Sequence, residues 1–161
     1  MGIAHTSLVL SNPLRPELAS LAVEALADTD AMYLCIPEHV ALRLGLIEQE
    51  QREVTLADGS RRMVSYVGPV EVRFGNRRCF VGAMVLGEET LLGAIPMEDM
   101  DLVIRPLTRE VTVNPASPNF PSSIAKSAVR YRIAAVALPA ARRLVTRRLA
   151  VSHDQTQSQA Y

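Results

Sequence analysis

The chain has 161 residues, of which 48% are hydrophobic and 21% are charged, so it is long enough to bury one core and too apolar for an intrinsically disordered protein. Its formal net charge is zero, no apolar run reaches the ~18 residues that a membrane-spanning helix needs, and the first residues lack the basic segment of a signal peptide. We therefore expect a cytoplasmic protein with no nucleic-acid partner.

The two cysteines, Cys35 and Cys79, lie in separate apolar segments, and the three histidines are far apart in the sequence. Isolated cysteines in such surroundings are usually buried, reduced thiols, and a zinc site needs paired ligands at short spacing. We therefore expect no disulfide, no metal and no cofactor.

The charges divide the chain into two parts. Residues 1–125 hold 10 of the 17 Lys and Arg residues and 16 of the 17 Asp and Glu residues, whereas residues 126–150 hold seven basic residues and no acidic one. A run rich in Pro, Ser and Asn at residues 114–123 precedes this change and is typical of a linker or an extended arm. We predict a domain over residues 1–125 and a basic helical tail over residues 126–161.

The first third of the chain predicts strands and one helix. Residues 6–10 form a strand that ends at a Ser-Asn-Pro turn, and the second half of residues 18–27 forms a buried strand that leads into an acidic loop. Residues 37–46 begin with a proline and have a glycine near the end, which is typical of a short helix closed by a glycine.

Beyond residue 50 the apolar residues recur with a period of two. Strands are predicted over residues 52–56, 61–67, 70–74 and 79–86, the first two joined by a turn at residues 57–60. Residues 91–94 follow, then a short acidic helix leading into a strand within residues 96–104, and a last strand at residues 110–113. Short strands at regular spacing, with one or two brief helices, predict a mainly-β barrel or sandwich.

The acidic loop Asp28-Thr29-Asp30 lies between two apolar runs. Carboxylates this close to a core are costly unless they are paired or used, and partial burial next to a like charge suits a general acid and base. The same tripeptide is more commonly a surface turn in which Asp and Thr side chains cap backbone N–H groups. Both interpretations remain open on the tripeptide alone.

Three motifs occur in a characteristic order: Asp-Thr-x-Ala at residues 28–31, a hairpin with Ala-Asp-Gly-Ser at residues 57–60, and Leu-Leu-Gly at residues 91–93 followed by a helix. This order resembles that of the retroviral-type, or retropepsin-like, aspartic proteases, and in particular a bacterial single-domain branch. The resemblance covers about residues 5–125. It implies a mainly-β fold, a closed acid-protease barrel of six or seven strands, and an aspartic endopeptidase that acts on peptides or proteins as a homodimer.

The resemblance also implies roles for individual residues. Asp28 matches the catalytic aspartate, Thr29 the residue that ties the two active-site loops together, and Ala31 the small residue that follows. The hydrophobic-hydrophobic-glycine motif is matched by Leu91, Leu92 and Gly93, and the tip of the flap, within residues 56–67, is matched by Ala57, Asp58, Gly59 and Ser60. Because peptide hydrolysis by this route needs two carboxyl groups that share a proton, and the chain has one such loop, a twofold axis would supply the second group.

Asp30 departs from the family pattern, which has glycine at this position. If the loop needs glycine torsions, aspartate strains it and glycine would relieve that strain. Two Asp30 carboxylates beside the Asp28 pair would also place four acids near one axis. The alternative function is therefore a catalytically impaired pseudoprotease that serves as a peptide-binding or scaffolding module; an unrelated small β-domain is a third reading.

The tail carries a second pattern. Residues 140–151 predict a helix with Arg142, Arg143, Arg147 and Arg148 on one broad face, separated by Pro139 from the segment before it. Such a basic face suits weak contact with an anionic membrane surface or with nucleic acid, and a solvated or loosely docked helix that balances the acidic domain explains it at least as well. We expect the polar residues after 152 to be disordered.

Overall fold

A computed structural model describes residues 4–56 and 58–124. The tail helix predicted over residues 140–151, its four arginines Arg142, Arg143, Arg147 and Arg148, and the polar end of the chain lie outside the described residues. Ala57 also lies outside them.

The described residues form nine strands and two short helices. The strands are β1 Ala4–Ser11, β2 Leu21–Ala27, β3 Leu34–Ile36, β4 Ile47–Thr55, β5 Arg61–Phe74, β6 Arg77–Val85, β7 Thr90–Leu92, β8 Leu102–Arg105 and β9 Glu110–Val113, and the helices are α1 Glu38–Arg43 and α2 Ala94–Asp99. None of the helices in this part of the chain is long and apolar enough to cross a membrane.

Six strands close into a barrel in the order β1-β2-β7-β3-β6-β5, because β5 pairs back onto β1. The β2–β7 and β3–β6 pairs are parallel, and the other pairs of the ring are antiparallel. β4 pairs with β5 at the end of this sheet, and β8 and β9 form a separate two-stranded sheet. Closure leaves the ring without free strand edges.

The core fills the barrel with aliphatic side chains. β1 alternates buried and exposed residues along its length, and its Leu8 and Leu10 are fully buried. They share the core with Leu34 and Ile36 of β3 and with Leu92 of β7. Burial of each such side chain contributes about 1.5–3 kcal/mol to stability, and this burial stabilises the strands next to the acidic loop.

The mainly-β barrel with two short helices is confirmed. The helix predicted over residues 37–46 is observed as α1, and Gly45 follows it with a left-handed φ of 58°. Its N–H bonds to the Leu42 carbonyl and the Leu46 N–H to the Ala41 carbonyl, which closes the last turn as a terminal glycine does.

Two predicted boundaries are wrong. The sequence predicts separate strands on either side of Gly68 and Pro69, whereas β5 runs through both for 14 residues, because a register shift between Val67 and Val70 absorbs them in the pairing with β6. β4 begins at Ile47 rather than at residue 52, because most of its residues are exposed on both faces and give no alternating signal.

Residues 114–122, predicted as a linker or an extended arm, are fastened to the barrel. The Asp101 carboxylate accepts hydrogen bonds from the Asn114 amide at 2.9 Å, from the Ser117 hydroxyl and from the Ser122 N–H at 2.9 Å. The buried Arg77 donates to the Ser117 carbonyl. The bonds from Ser117, Asn114 and Ser122, in that order of effect, lower the pKa of Asp101 to about 2.

Candidate active site

The acidic loop begins where β2 ends. The Asp28 N–H donates to the Leu92 carbonyl at 3.1 Å, which continues the parallel pairing of β2 with β7, and the Ala31 N–H donates to the Asp28 carbonyl at 3.3 Å. Asp28 is half-buried, whereas Thr29 and Asp30 are exposed. The loop therefore turns back sharply and leaves the side chains of residues 29 and 30 on the surface.

β7 lies behind this loop. It is inserted between β2 and β3, the two strands that the loop connects, and it pairs parallel with β2 and antiparallel with β3. Immediately after β7, the Ala94 N–H donates to the Ala31 carbonyl at 2.7 Å and the Ile95 N–H to the Met32 carbonyl at 3.0 Å. The start of α2 is thus hydrogen-bonded to the two residues that directly follow the acidic loop.

Gly93 makes this close approach possible. A Cβ at this position would lie 2.4 Å from the Tyr33 carbonyl oxygen and 2.7 Å from the backbone atoms Met32 C and Tyr33 N. Its φ of −82° is open to any residue, so the requirement for glycine is steric. The Leu-Leu-Gly motif therefore has two local functions. Leu92 is buried in the core, and Gly93 leaves room for the backbone of residues 32 and 33, which follow the acidic loop.

The Asp28 carboxylate is held by the loop itself. Its Oδ1 accepts the Asp30 N–H at 2.9 Å, which is an Asx-turn. The turn-forming interpretation of the tripeptide is therefore correct, and it does not compete with the catalytic one, because this bond fixes the direction of the carboxylate. The donor is a backbone group, so aspartate at position 30 supplies it as glycine would.

The expected backbone strain at Asp30 is absent. Among the described residues, the non-glycine residues with positive φ are Asp101 and Arg109, and Asp30 is not one of them. Glycine torsions are therefore not needed at position 30, and the strain that the sequence left possible is not observed. What Asp30 adds is a second carboxylate beside Asp28.

β4 and β5 form the hairpin predicted as the flap. Its turn is closed by bonds from the Leu56 N–H to the Ser60 carbonyl and from the Gly59 N–H to the Leu56 carbonyl, and Gly59 has a left-handed φ of 81°. Asp58 accepts the N–H and the hydroxyl of Ser60, the hydroxyl having the larger effect, and these bonds lower the pKa of Asp58. Asp58 therefore forms the turn, as predicted.

A cleft of about 840 Å³ opens beside Asp28. The hairpin meets it through Thr55 and Leu56, and its far wall is the β6–β7 connection with Leu86 and Gly87. Carboxylates and apolar side chains share the rest of the lining: Asp28, Asp30, Glu88 and Glu89, with Ala31, Cys35 and Leu91. The lining of the cleft is therefore both acidic and apolar.

The two cysteines are free, and neither is suited to act as a nucleophile. Burial raises the pKa of the Cys35 thiol, although this residue lines the cleft. Burial, with a smaller effect from Asp99, raises the pKa of Cys79 to about 12. Because the thiolate is the reactive form, Cys35 contributes apolar surface to the cleft rather than a nucleophile.

The lining of the cleft includes two acidic residues that were not predicted. Glu88 and Glu89 line the cleft although no motif marks them, and they follow Gly87, whose φ of 82° turns the chain after β6. Their signal was a pair of acids between two apolar strands, which is the same signal that singled out residues 28–30. Residues 4–56 and 58–124 contain no group of three His, Cys, Asp or Glu side chains placed to hold a metal ion.

Comparison with known proteins gives structural neighbours alone. No protein-family model matches the sequence, and no curated protein sequence matches it. The chain is similar to the retroviral protease-like domain of Ddi1 from Leishmania major, with 13% identity and a TM-score of 0.46 over 70% of this chain and 90% of that one. It is also similar to the simian foamy virus protease, with 14% identity and a TM-score of 0.38 over 57% of this chain and 91% of that one.

The topology itself supplies the assignment of the fold. Six strands close into a ring, β7 lies between the strands that carry the acidic loop, and a hairpin borders the cleft beside that loop. The described part of the chain has a retropepsin-like fold.

Proposed function

We propose that the protein is an aspartic endopeptidase whose catalytic pair is formed by the Asp28 carboxyl groups of two copies of the chain. The observation that supports this most is the Asp28 carboxylate itself. It borders a cleft of about 840 Å³. Its loop is hydrogen-bonded to Leu92 at the end of β7, and the residues that follow the loop pack against Gly93. Burial at the edge of an apolar core and a second carboxyl group nearby are the conditions that acid–base hydrolysis needs.

The reaction needs one ionised and one protonated carboxyl group. The ionised group takes a proton from water as the water oxygen attacks the carbonyl carbon of the peptide, and the protonated group donates its proton to the carbonyl oxygen. When the resulting tetrahedral intermediate breaks its C–N bond, the amine leaves with a proton returned by the pair. Two like carboxyl groups about 3 Å apart share one proton, which provides this starting state.

The second copy is proposed because each chain supplies one Asp28. Two apolar side chains flank the acidic loop on the surface: Met32 is 58% exposed and Ile95 is 38% exposed, and their backbones are joined by a hydrogen bond. With the exposed Thr29 beside them, they offer a surface that a twofold-related copy can cover while bringing the two Asp28 groups together.

Asp30 favours a second candidate, a peptide-binding module that does not cleave. This residue adds an exposed carboxylate to the cleft, and a dimer would carry two of them beside the catalytic pair. Repulsion among four acids near one axis disfavours the state with two closely spaced Asp28 groups. The cleft would still bind an extended peptide, so binding and cleavage must be measured separately.

The test uses unfolded casein and a fluorogenic peptide with wild type, Asp28→Asn and the control Asp99→Asn. Asp99 is an exposed residue of α2, so its variant has the same chemical change away from the cleft. We expect wild type and Asp99→Asn to cleave and Asp28→Asn to remain folded and inactive. Equal cleavage by all three would refute the role of Asp28, and peptide binding without cleavage by wild type would select the binding module.

Subunit mixing tests the shared pair. When an equal amount of Asp28→Asn is added to a fixed amount of wild type and subunits exchange, about half of the wild-type dimers become mixed dimers with one carboxyl group. Activity should fall to about half, whereas chains that act alone would keep full activity. Adding Asp99→Asn in the same amount controls for dilution and crowding and should not reduce activity.

A further inference from the structure

We propose that Arg52 is a positioning residue that couples the flap hairpin to the acidic loop through Tyr33 and Tyr66. The inference rests on the proposed function, since it assigns Arg52 a part in aligning the Asp28 loop for catalysis. It goes beyond that function because nothing in the motifs marks Arg52 or the two tyrosines.

Arg52 lies on β4, and its guanidinium group packs on two aromatic rings. The Cζ atom is 3.6 Å from the centroid of the Tyr66 ring and 5.3 Å from that of the Tyr33 ring. The two rings contact each other edge to face, with centroids 6.3 Å apart at 77°. A planar cation on an aromatic face is attracted by the ring quadrupole and stacks well, and an ammonium group cannot reproduce this geometry.

Further contacts fix the stack in place. Glu50, on the same strand, accepts from the Arg52 guanidinium at 2.6 Å and orients it along the hairpin. Below, the Tyr66 ring lies over Gly82 of β6, where an added Cβ would come within 2.1 Å of the ring. Glycine at position 82 therefore lets Tyr66 lie flat enough to receive Arg52.

Tyr33 connects the stack to the acidic loop. It directly precedes β3 and ends the segment that begins at Asp28, and its backbone N and O, together with Met32 C, are the atoms nearest to where a Cβ at Gly93 would lie. A shift of the Tyr33 ring therefore pulls on the backbone of residues 31 and 32, which accepts hydrogen bonds from the N–H groups of Ala94 and Ile95. Through one cation, the position of the hairpin and the position of the Asp28 loop become linked.

This linkage has a kinetic consequence. If Arg52 acted only by shaping the hairpin, its loss would weaken substrate binding and raise KM. Because it also holds the loop that carries Asp28, we expect its loss to lower kcat more than it raises KM, since a small misplacement of a reacting group slows the chemical step.

The test compares Arg52→Ala with the control Arg61→Ala. Arg61 lies on β5 of the same hairpin and pairs with Glu53 at 3.6 Å, but it is exposed and contacts no ring, so both variants remove one arginine from one charge pair. Tyr66→Phe is the conservative variant, which keeps the ring. Hydrogen exchange is followed at the amides of residues 28–33 and 50–54, and kcat and KM are measured on the fluorogenic peptide.

We expect Arg52→Ala to speed exchange at residues 28–33 by about three- to ten-fold and to lower kcat by about ten-fold. Exchange at residues 28–33 should stay near the wild-type rate in Arg61→Ala and in Tyr66→Phe. Coupling is reciprocal, so Tyr33→Leu should speed exchange at residues 50–54. Unchanged exchange at residues 28–33 in Arg52→Ala, or an equal change of that exchange in Arg61→Ala, would overturn the inference. If wild type does not cleave, the proposed enzymatic function fails and exchange alone decides whether the coupling exists.

Discussion

Replacement of Gly93 by alanine tests whether the acidic loop depends on the glycine of the Leu-Leu-Gly motif. The new Cβ would lie 2.4 Å from the Tyr33 carbonyl oxygen and 2.7 Å from Met32 C and Tyr33 N. All three are backbone atoms, so no side-chain rotation relieves the overlap. The loop or the start of α2 must move.

The cost follows from this geometry. Overpacking in a well-packed region costs about 1–3 kcal/mol, and the upper end applies where backbone has to shift, so we expect a loss of about 3 kcal/mol. With a urea dependence of about 2 kcal/mol/M, the unfolding midpoint should fall by about 1.5 M. The displaced segment follows Asp28 directly, so cleavage should also be lost in variant protein that is still folded.

Gly75→Ala is the matched control. Gly75 has a φ of 53° and no atom near its added Cβ, so alanine there costs only the left-handed torsion, about 1 kcal/mol. Urea unfolding followed by circular dichroism gives both midpoints. If Gly93→Ala unfolds at the wild-type midpoint, or is no less stable than Gly75→Ala, the argument that Gly93 is required sterically is wrong.

Three further predictions concern charged side chains. Asp30→Asn and Asp30→Gly should raise cleavage to a similar extent, because both remove a carboxylate from the cleft, and Asp30→Gly should lower stability by about 0.5–1 kcal/mol through unfolded-chain entropy; a rate increase in Asp30→Gly alone would contradict this. Hydrogen bonds hold the pKa of Asp101 at about 2, below its ordinary value of 3.8. The ionised carboxylate therefore stabilises the fold fully above pH 3.8, and this contribution is lost as the pH falls through 2. Asp101→Asn should therefore unfold at lower urea than wild type at pH 6 and at a similar urea concentration at pH 2. The double variant Glu88→Gln, Glu89→Gln should reduce the preference for a lysine peptide over a glutamate peptide about two- to five-fold at low salt, measured as the ratio of kcat/KM values.

Local patterns predicted the parts of the site that depend on local chemistry. The acids at residues 28–30 follow a buried strand, and the Leu-Leu-Gly motif precedes a helix; both arrangements are observed. The resemblance predicted that the acidic loop and the Leu-Leu-Gly motif lie next to each other. The structure explains this contact by the parallel pairing of β2 with β7 and by the small volume of Gly93.

Other contacts depend on how distant segments pair and pack, which the periodicity of the sequence does not reveal. Arg52 meets the tyrosines because β4 pairs with β5 in a register that places Arg52 opposite Val64, with a shift between Glu48 and Glu50. A bulge is a tertiary feature, and β4 lacks the alternation that would have marked its start. The contacts of Asp101 with residues 114–122 were hidden for a similar reason, since composition alone indicated a linker.

The backbone conformation of Asp30 bears directly on whether the site can be active. From the sequence, aspartate in place of glycine had two possible costs, strain and charge, and glycine was expected to relieve both. The structure removes the first, since Asp30 does not have positive φ and its N–H still bonds to the Asp28 carboxylate. The loop therefore keeps the geometry that glycine would give, and what separates an active enzyme from a binding module is the electrostatics of the cleft. Salt screens electrostatic repulsion, so under this argument a wild type that is inactive at low salt should gain activity as salt is added, whereas a misfolded loop would not.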